Sequence, residues 1–210
     1  MGKGEAWGRT EAAAPLTPGL PLIKHSIMEW ISKIGLPKKE KPIDGRLAVR
    51  QRFKLDSQYL APLRKLIVQG FPTKRKGKTP LGRAMSHLVL RATEGEYPDQ
   101  YVNPAMVRLS EGNTPNPRNI EVARRGKLIE VTFESKSSDL CRFWDDGVLI
   151  CAYHPTMRIA GINEEPSIRK DGVARIVLPP QLAEQPMHLY LLTHTRDKKS
   201  FSRSVYLGEI

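Results

Sequence analysis

The chain is poor in cysteine, with Cys141 and Cys151 the two among 210 residues. They form no CxxC spacing, which excludes a cysteine-framed zinc site, and two cysteines cannot staple a disulfide-dense scaffold. They read as two free buried thiols, with a bridge across a hairpin as the alternative. No uncharged apolar run approaches the roughly 18 residues of a membrane span. At the start, Lys3, Glu5, Arg9 and Glu11 mix signs, and Pro15, Pro18 and Pro21 interrupt the apolar stretch that follows. No secretory signal is read there, and a cytoplasmic or virion-like protein is expected. Aromatic residues are scarce at 7%.

Recognisable catalytic signatures are missing as well. No GxSxG elbow, kinase-like set or Cys–His motif occurs. Gly77-Lys78-Thr79 resembles the end of a phosphate-binding loop, but the glycine required five residues earlier is Pro72. The five histidines make no metal box. His188 and His194 share a face of an expected strand yet stand roughly 20 Å apart, too far for one ion. Asp145-Asp146 and Glu164-Glu165 are neighbours whose side chains diverge on a strand, and Asp146-Gly147 reads as a turn. No enzyme, cofactor or metal is expected.

What the chain does have is positive charge, and it is concentrated. Thirty-four Lys and Arg against 22 Asp and Glu give +12 overall. Residues 1–35 carry +1, residues 36–91 carry +12, and residues 92–210 carry −1. The middle segment therefore holds the excess, with Glu40, Asp44 and Asp56 as its acids. Lys38, Lys39 and Lys41 lie between Pro37 and Pro42; Arg46, Arg50 and Lys54 repeat every four residues along a helix; Lys74, Arg75, Lys76 and Lys78 form a run. Four-residue spacing sets a basic stripe at about 6 Å per step. One meaning is a solubilising helix face. The other is a polyanion-binding surface that neutralises phosphates without reading sequence. Phe53, Tyr59 and Phe71 are too few, and too apolar in pattern, for single-strand base stacking.

Residues 1–26 are rich in Gly, Pro and Ala without a period and read as an extended arm. The segment Ile27–Ile34 is a strand or a short helix. A helix is expected from Asp44 as N-cap to Gly70, with Leu47, Val49, Phe53, Leu60, Leu63 and Ile67 apolar and a break near Leu60 imposed by Pro62. A second spans Pro80–Thr93, capped by Thr79, with Leu81, Ala84, Met85, Leu88 and Ala92 inward and Gly95 at its end. From Met106 the period changes to two. Strands are expected near Met106–Leu109, Lys127–Glu134, Val148–His154, Val173–Leu178, His188–His194 and Ser204–Leu207. The third, apolar on both faces, should be central.

Leu36–Phe53, Tyr59–Phe71 and Thr79–Asp99, together with Gly126–Ser135, Asp145–Pro155 and the terminal SRSVYLGEI, resemble the domain-of-unknown-function family 6266 of Bacteroidota. The resemblance covers about residues 36–210. It implies helices followed by a β-sandwich and supplies no activity. Members of that family start with a glycine-studded ribbon carrying a Trp-Lys-Gly step, where this chain has Met28-Glu29-Trp30-Ile31.

The expected architecture is α+β. An extended N-terminal arm (1–35) and a basic helical module (36–99) precede an antiparallel β-sandwich (100–210) of immunoglobulin or fibronectin type. The arm is too apolar for a plain solvated tail, and Leu22, Ile23 and Trp30 are its candidate assembly residues. The functional expectation is a non-catalytic structural subunit that forms a homo-oligomer or larger assembly. The alternative is a sequence-nonspecific nucleic-acid-binding protein acting through the basic residues named above.

Overall fold

The computed structural model describes residues 45–71, 77–135 and 144–210. The arm, the lysine-rich linker, the Asp44 cap, Lys74–Lys76 and Cys141 lie outside the described residues.

Helix α1 (Gly45–Leu60) stops where Pro62 would leave a carbonyl without a donor. A turn through Ala61–Leu63 follows, and α2 (Arg64–Gly70) starts afresh, so the expected break is present. Leu60, Leu63 and Ile67 are buried as the periodicity requires. Leu47, Val49 and Phe53 are not: they are 45, 55 and 49% exposed. All buried residues of α1 fall in its last five positions, Asp56, Tyr59 and Leu60. Its first turns run past the core, so helical spacing there finds no layer to face among the described residues.

Gly70 ends α2 for a reason other than the expected glycine cap. The cap position is Phe71 at φ −117°, and a Cβ on Gly70 would fall 2.5 Å from the Leu109 carbonyl oxygen. The glycine lets the 109–111 segment approach closely, and Glu111 N–H donates to the Gly70 carbonyl at 2.9 Å.

Helix α3 (Pro80–His87) is capped as expected, Thr79 Oγ1 accepting from Gly82 N–H at 3.0 Å. It widens into a π turn at Leu88–Ala92. Thr93 already belongs to β1 (Thr93–Glu94), which pairs with β2 (Tyr101–Val102). Thr93 Oγ1 donates to Asp56 Oδ1 at 2.6 Å, tying this corner to α1. Burial holds the Asp56 carboxyl above its ordinary range, against the Thr93 bond and the nearby Arg52 charge.

The expected strand at Met106–Leu109 is absent. Asn103 accepts from Ala105 N–H and Pro104 opens a 3-10 turn through Met106. Beyond it Val107 and Leu109 are buried, so the alternation reported burial correctly. Leu109 N–H donates to Ser204 Oγ, and Ser110 Oγ donates to the Ser202 carbonyl. Side-chain hydroxyls thus take the place of a ladder.

Eight further strands follow among the described residues: β3 (Glu121–Arg125), β4 (Leu128–Thr132), β5 (Gly147–His154), β6 (Ile159–Ile162), β7 (Ser167–Ile168), β8 (Val173–Val177), β9 (His188–His194) and β10 (Val205–Glu209). Three of these, β3, β6 and β7, are short or half-exposed and carry no strong period. One sheet runs β10-β9-β5-β6, with β7 also on β5; the other runs β3-β4-β8, every pair antiparallel. As expected, β5 is central, with seven of its eight residues buried.

The two sheets face each other across Ile129 and Val131 of β4, Ala174 and Ile176 of β8, Val148, Ile150 and Ala152 of β5, and Leu189 and Leu191 of β9. The other face of the larger sheet packs on the helices through Cys151, Tyr153, Tyr190 and Leu192. Tyr59 of α1 and Tyr190 of β9 share a hydroxyl–hydroxyl bond of 2.8 Å, and Tyr190 Oη donates to the Pro104 carbonyl. Cys151 is a free buried thiol, pushed up to about 12 by burial. Among the described residues no helix is long and apolar enough to cross a membrane.

Candidate functional site

Strands β6 and β8 are the last members of their sheets on the same side of the molecule. Each is paired along one edge, β6 to β5 and β8 to β4, and among the described residues no strand takes the other edge. Unpaired N–H and C=O groups at such edges are templates for another strand. Between them opens a groove of about 820 Å³.

The groove is apolar for a reason visible in the strands. Period two sends Ile176 inward to the shared core, while Val177 of β8 and Ile159 of β6 flank the opening, 71 and 40% exposed. Leu182 and Met187 are buried and form part of its floor. A Cβ built on Gly161 of β6 would sit 3.6 Å from Ile176 Cδ1 of β8. Glu164 and Glu165 add negative charge to the lining.

Asn163 fixes this edge. It is buried, and its Oδ1 accepts from Ile150 N–H at 2.8 Å while its Nδ2 donates to the Glu165 carbonyl at 2.9 Å. The side chain stands in for the residues that would continue the ladder between β6 and β7. The Arg175–Glu130 ion pair at 2.7 Å crosses β8 and β4.

The sequence-expected site residues are only partly placed. Arg46, Arg50 and Lys54 are exposed on α1, and Lys78 is exposed ahead of α3. Lys38, Lys39, Lys41, Lys74, Arg75 and Lys76, with Leu22, Ile23 and Trp30, lie outside the described residues. Phe53 sits half-exposed among the α1 cations instead of in the core. Of the groove residues, those of β8 fall in an expected strand and Glu164-Glu165 stands out as an acidic pair, but nothing in the sequence marks β6 or the opening between them.

Three of the histidines have local partners. His154 Nδ1 accepts from Met157 N–H at 3.0 Å, His188 Nδ1 lies 3.1 Å from Tyr206 Oη, and His194 Nδ1 lies 2.8 Å from the Thr195 carbonyl. Among the described residues no group of three His, Cys, Asp or Glu side chains is arranged to hold a metal ion.

An antiparallel two-sheet chain with helices on one face and an open edge groove defines a class of architecture without an activity. Residues 33–208 match the model of a family of unknown function, DUF6266, and the chain belongs to that family. Comparisons with curated proteins and with solved structures found no match.

Proposed function

We propose that the chain is a non-catalytic assembly subunit. Its sheets form an immunoglobulin/fibronectin-like sandwich, and it self-associates or binds a partner through its N-terminal arm (1–35) and that sandwich, whose β6/β8 groove is the docking face. The distribution of strands supports the sandwich reading. Strands β3, β4 and β8 form one sheet and β5, β6, β9 and β10 the other, as strands A, B, E and C, C′, F, G divide in that fold.

The observation that carries the assembly reading is an apolar groove bounded by two strand edges with unpaired backbone. Strand addition supplies affinity through main-chain hydrogen bonds and specificity through alternate side chains. In the arm, Leu22, Ile23 and Trp30 are the candidate apolar assembly residues. Deleting residues 1–35 is expected to convert an oligomer into a monomer, measured as mass by light scattering at high concentration. Two monomers, or two identical oligomers, would overturn the reading.

The exposed Arg46, Arg50 and Lys54 on one helix favour a second function, sequence-nonspecific binding of nucleic acid. A duplex DNA titration is expected to weaken steeply with salt, and substituting all three with alanine should flatten that slope by roughly 3. An unchanged slope would remove this reading.

A further inference from the structure

A second cavity, of about 250 Å³, lies beside α3, the π turn and the segment carrying Arg108. Lys78, Arg83, Arg91 and Arg108 line it with Ser86 and His87, and its acid is Glu111. Arg83 Nη2 donates to Glu111, and the Arg83 guanidinium lies 5.2 Å from the Phe71 ring centroid, so this pair builds one wall.

Arg91, Arg108 and Arg203 behave differently. Among the described residues their guanidinium groups make no hydrogen bond or ion pair, yet they are near enough to feel one another. Burial, then the charge of Arg203, lower the pKa of the Arg108 guanidinium, with Glu111 opposing and Arg91 adding to the shift, and the group stays charged. His87 Nδ1 is buried without a hydrogen-bond partner. Burial, Arg108 and Arg91 hold its ring below the ordinary histidine range, so at neutral pH it is an uncharged member of the cluster.

Like charges gathered around a concave space repel one another at rest, and an entering anion relieves that repulsion. Guanidinium groups present forked donors that match phosphate oxygens in pairs. We propose that this cavity binds a dianionic phosphate group, either free phosphate or the terminal phosphate of a small monoester. A concave site meeting three terminal oxygens favours the monoester over a diester, which has two and carries substituents on both sides. Arg91 and Arg108 line the cavity and Arg203 lies close to Arg108; none of the three belongs to the α1 stripe or the groove, and Lys78 is shared with the basic run of the sequence.

The test is calorimetric titration of the full chain with inorganic phosphate, ethyl phosphate and diethyl phosphate, paired with thermal melting. Phosphate and ethyl phosphate are expected to bind saturably in the millimolar range or tighter and to raise Tm, with diethyl phosphate at least roughly tenfold weaker. Arg108→Gln and, separately, the exposed Arg91→Gln should each weaken ethyl phosphate by roughly tenfold or more. Without ligand both variants should melt at or above the parental Tm, because each removes like-charge repulsion. Arg125→Gln, on β3, should bind as the parent does. Absence of saturable binding by the parent, parental affinity in both variants, or equal binding of diethyl and ethyl phosphate would overturn the proposal.

Discussion

Gly161→Leu is expected to abolish association and leave a monomer at least as stable as the parent. Gly161 lies in β6 with no positive φ, and a Cβ there meets only Ile176 Cδ1, at the ordinary contact distance of 3.6 Å. A side chain is therefore tolerated by the backbone, and leucine projects into the space between β6 and β8. Replacing a strand glycine removes unfolded-state freedom, and the added methyl groups bury apolar area, so the monomer should gain about 0.5–1 kcal/mol. The same side chain occupies the volume that an incoming strand must fill. Sedimentation or light scattering should report the monomer, and the melting temperature should be equal or higher. A variant that assembles like its parent would rule out the groove as the contact, whatever the arm deletion does. One that merely unfolds would contradict the packing around Ile176.

How far the fold was legible in the chain follows from which residues were paired with what. Strands β5 and β9 were legible because burial on both faces leaves an apolar run that few other elements produce. Helix α3 was legible because Thr79, Pro80 and the inward residues agree at every level. The α1–α2 break follows from Pro62 alone. Strands β3, β6 and β7 were not, because edge strands face solvent on more than one side and lose the apolar signal. Met106–Leu109 shows the converse: its alternation is real, but Asn103 and Pro104 turn the chain and serine hydroxyls satisfy the backbone. The groove could not be read because it is a property of two edges in different sheets that, among the described residues, no third strand closes. The cationic cavity was hidden similarly. Arg91, Arg108 and Arg203 are scattered through the chain, two of them beyond the segment that holds the net charge, and only folding gathers them.

Leu192→Ala, finally, is expected to melt the helices although it sits in a strand. Leu192 is fully buried on the helix-facing side of β9, in a cluster that joins Leu60, Leu63 and Ile67 to Cys151, Tyr153 and Tyr190. Removing its branched end should cost about 2–5 kcal/mol, including the cavity left behind. Against a total stability of roughly 5–15 kcal/mol, that is enough to shift the whole unfolding curve. Asp44–Ile210 make one compact unit, and α1 and α2 are buried chiefly through this cluster. A short helix such as α2 is marginal in isolation, so helix and sheet should unfold in one transition. Far-ultraviolet ellipticity and the near-ultraviolet tyrosine signal should therefore coincide, with the same midpoint shift in denaturant. Two separated transitions, or helix signal surviving the loss of tyrosine packing, would mean that the basic helical segment stands as a domain of its own. Coincidence would mean instead that the cations of α1, and those around the phosphate cavity, are held in place by the sheet beneath them.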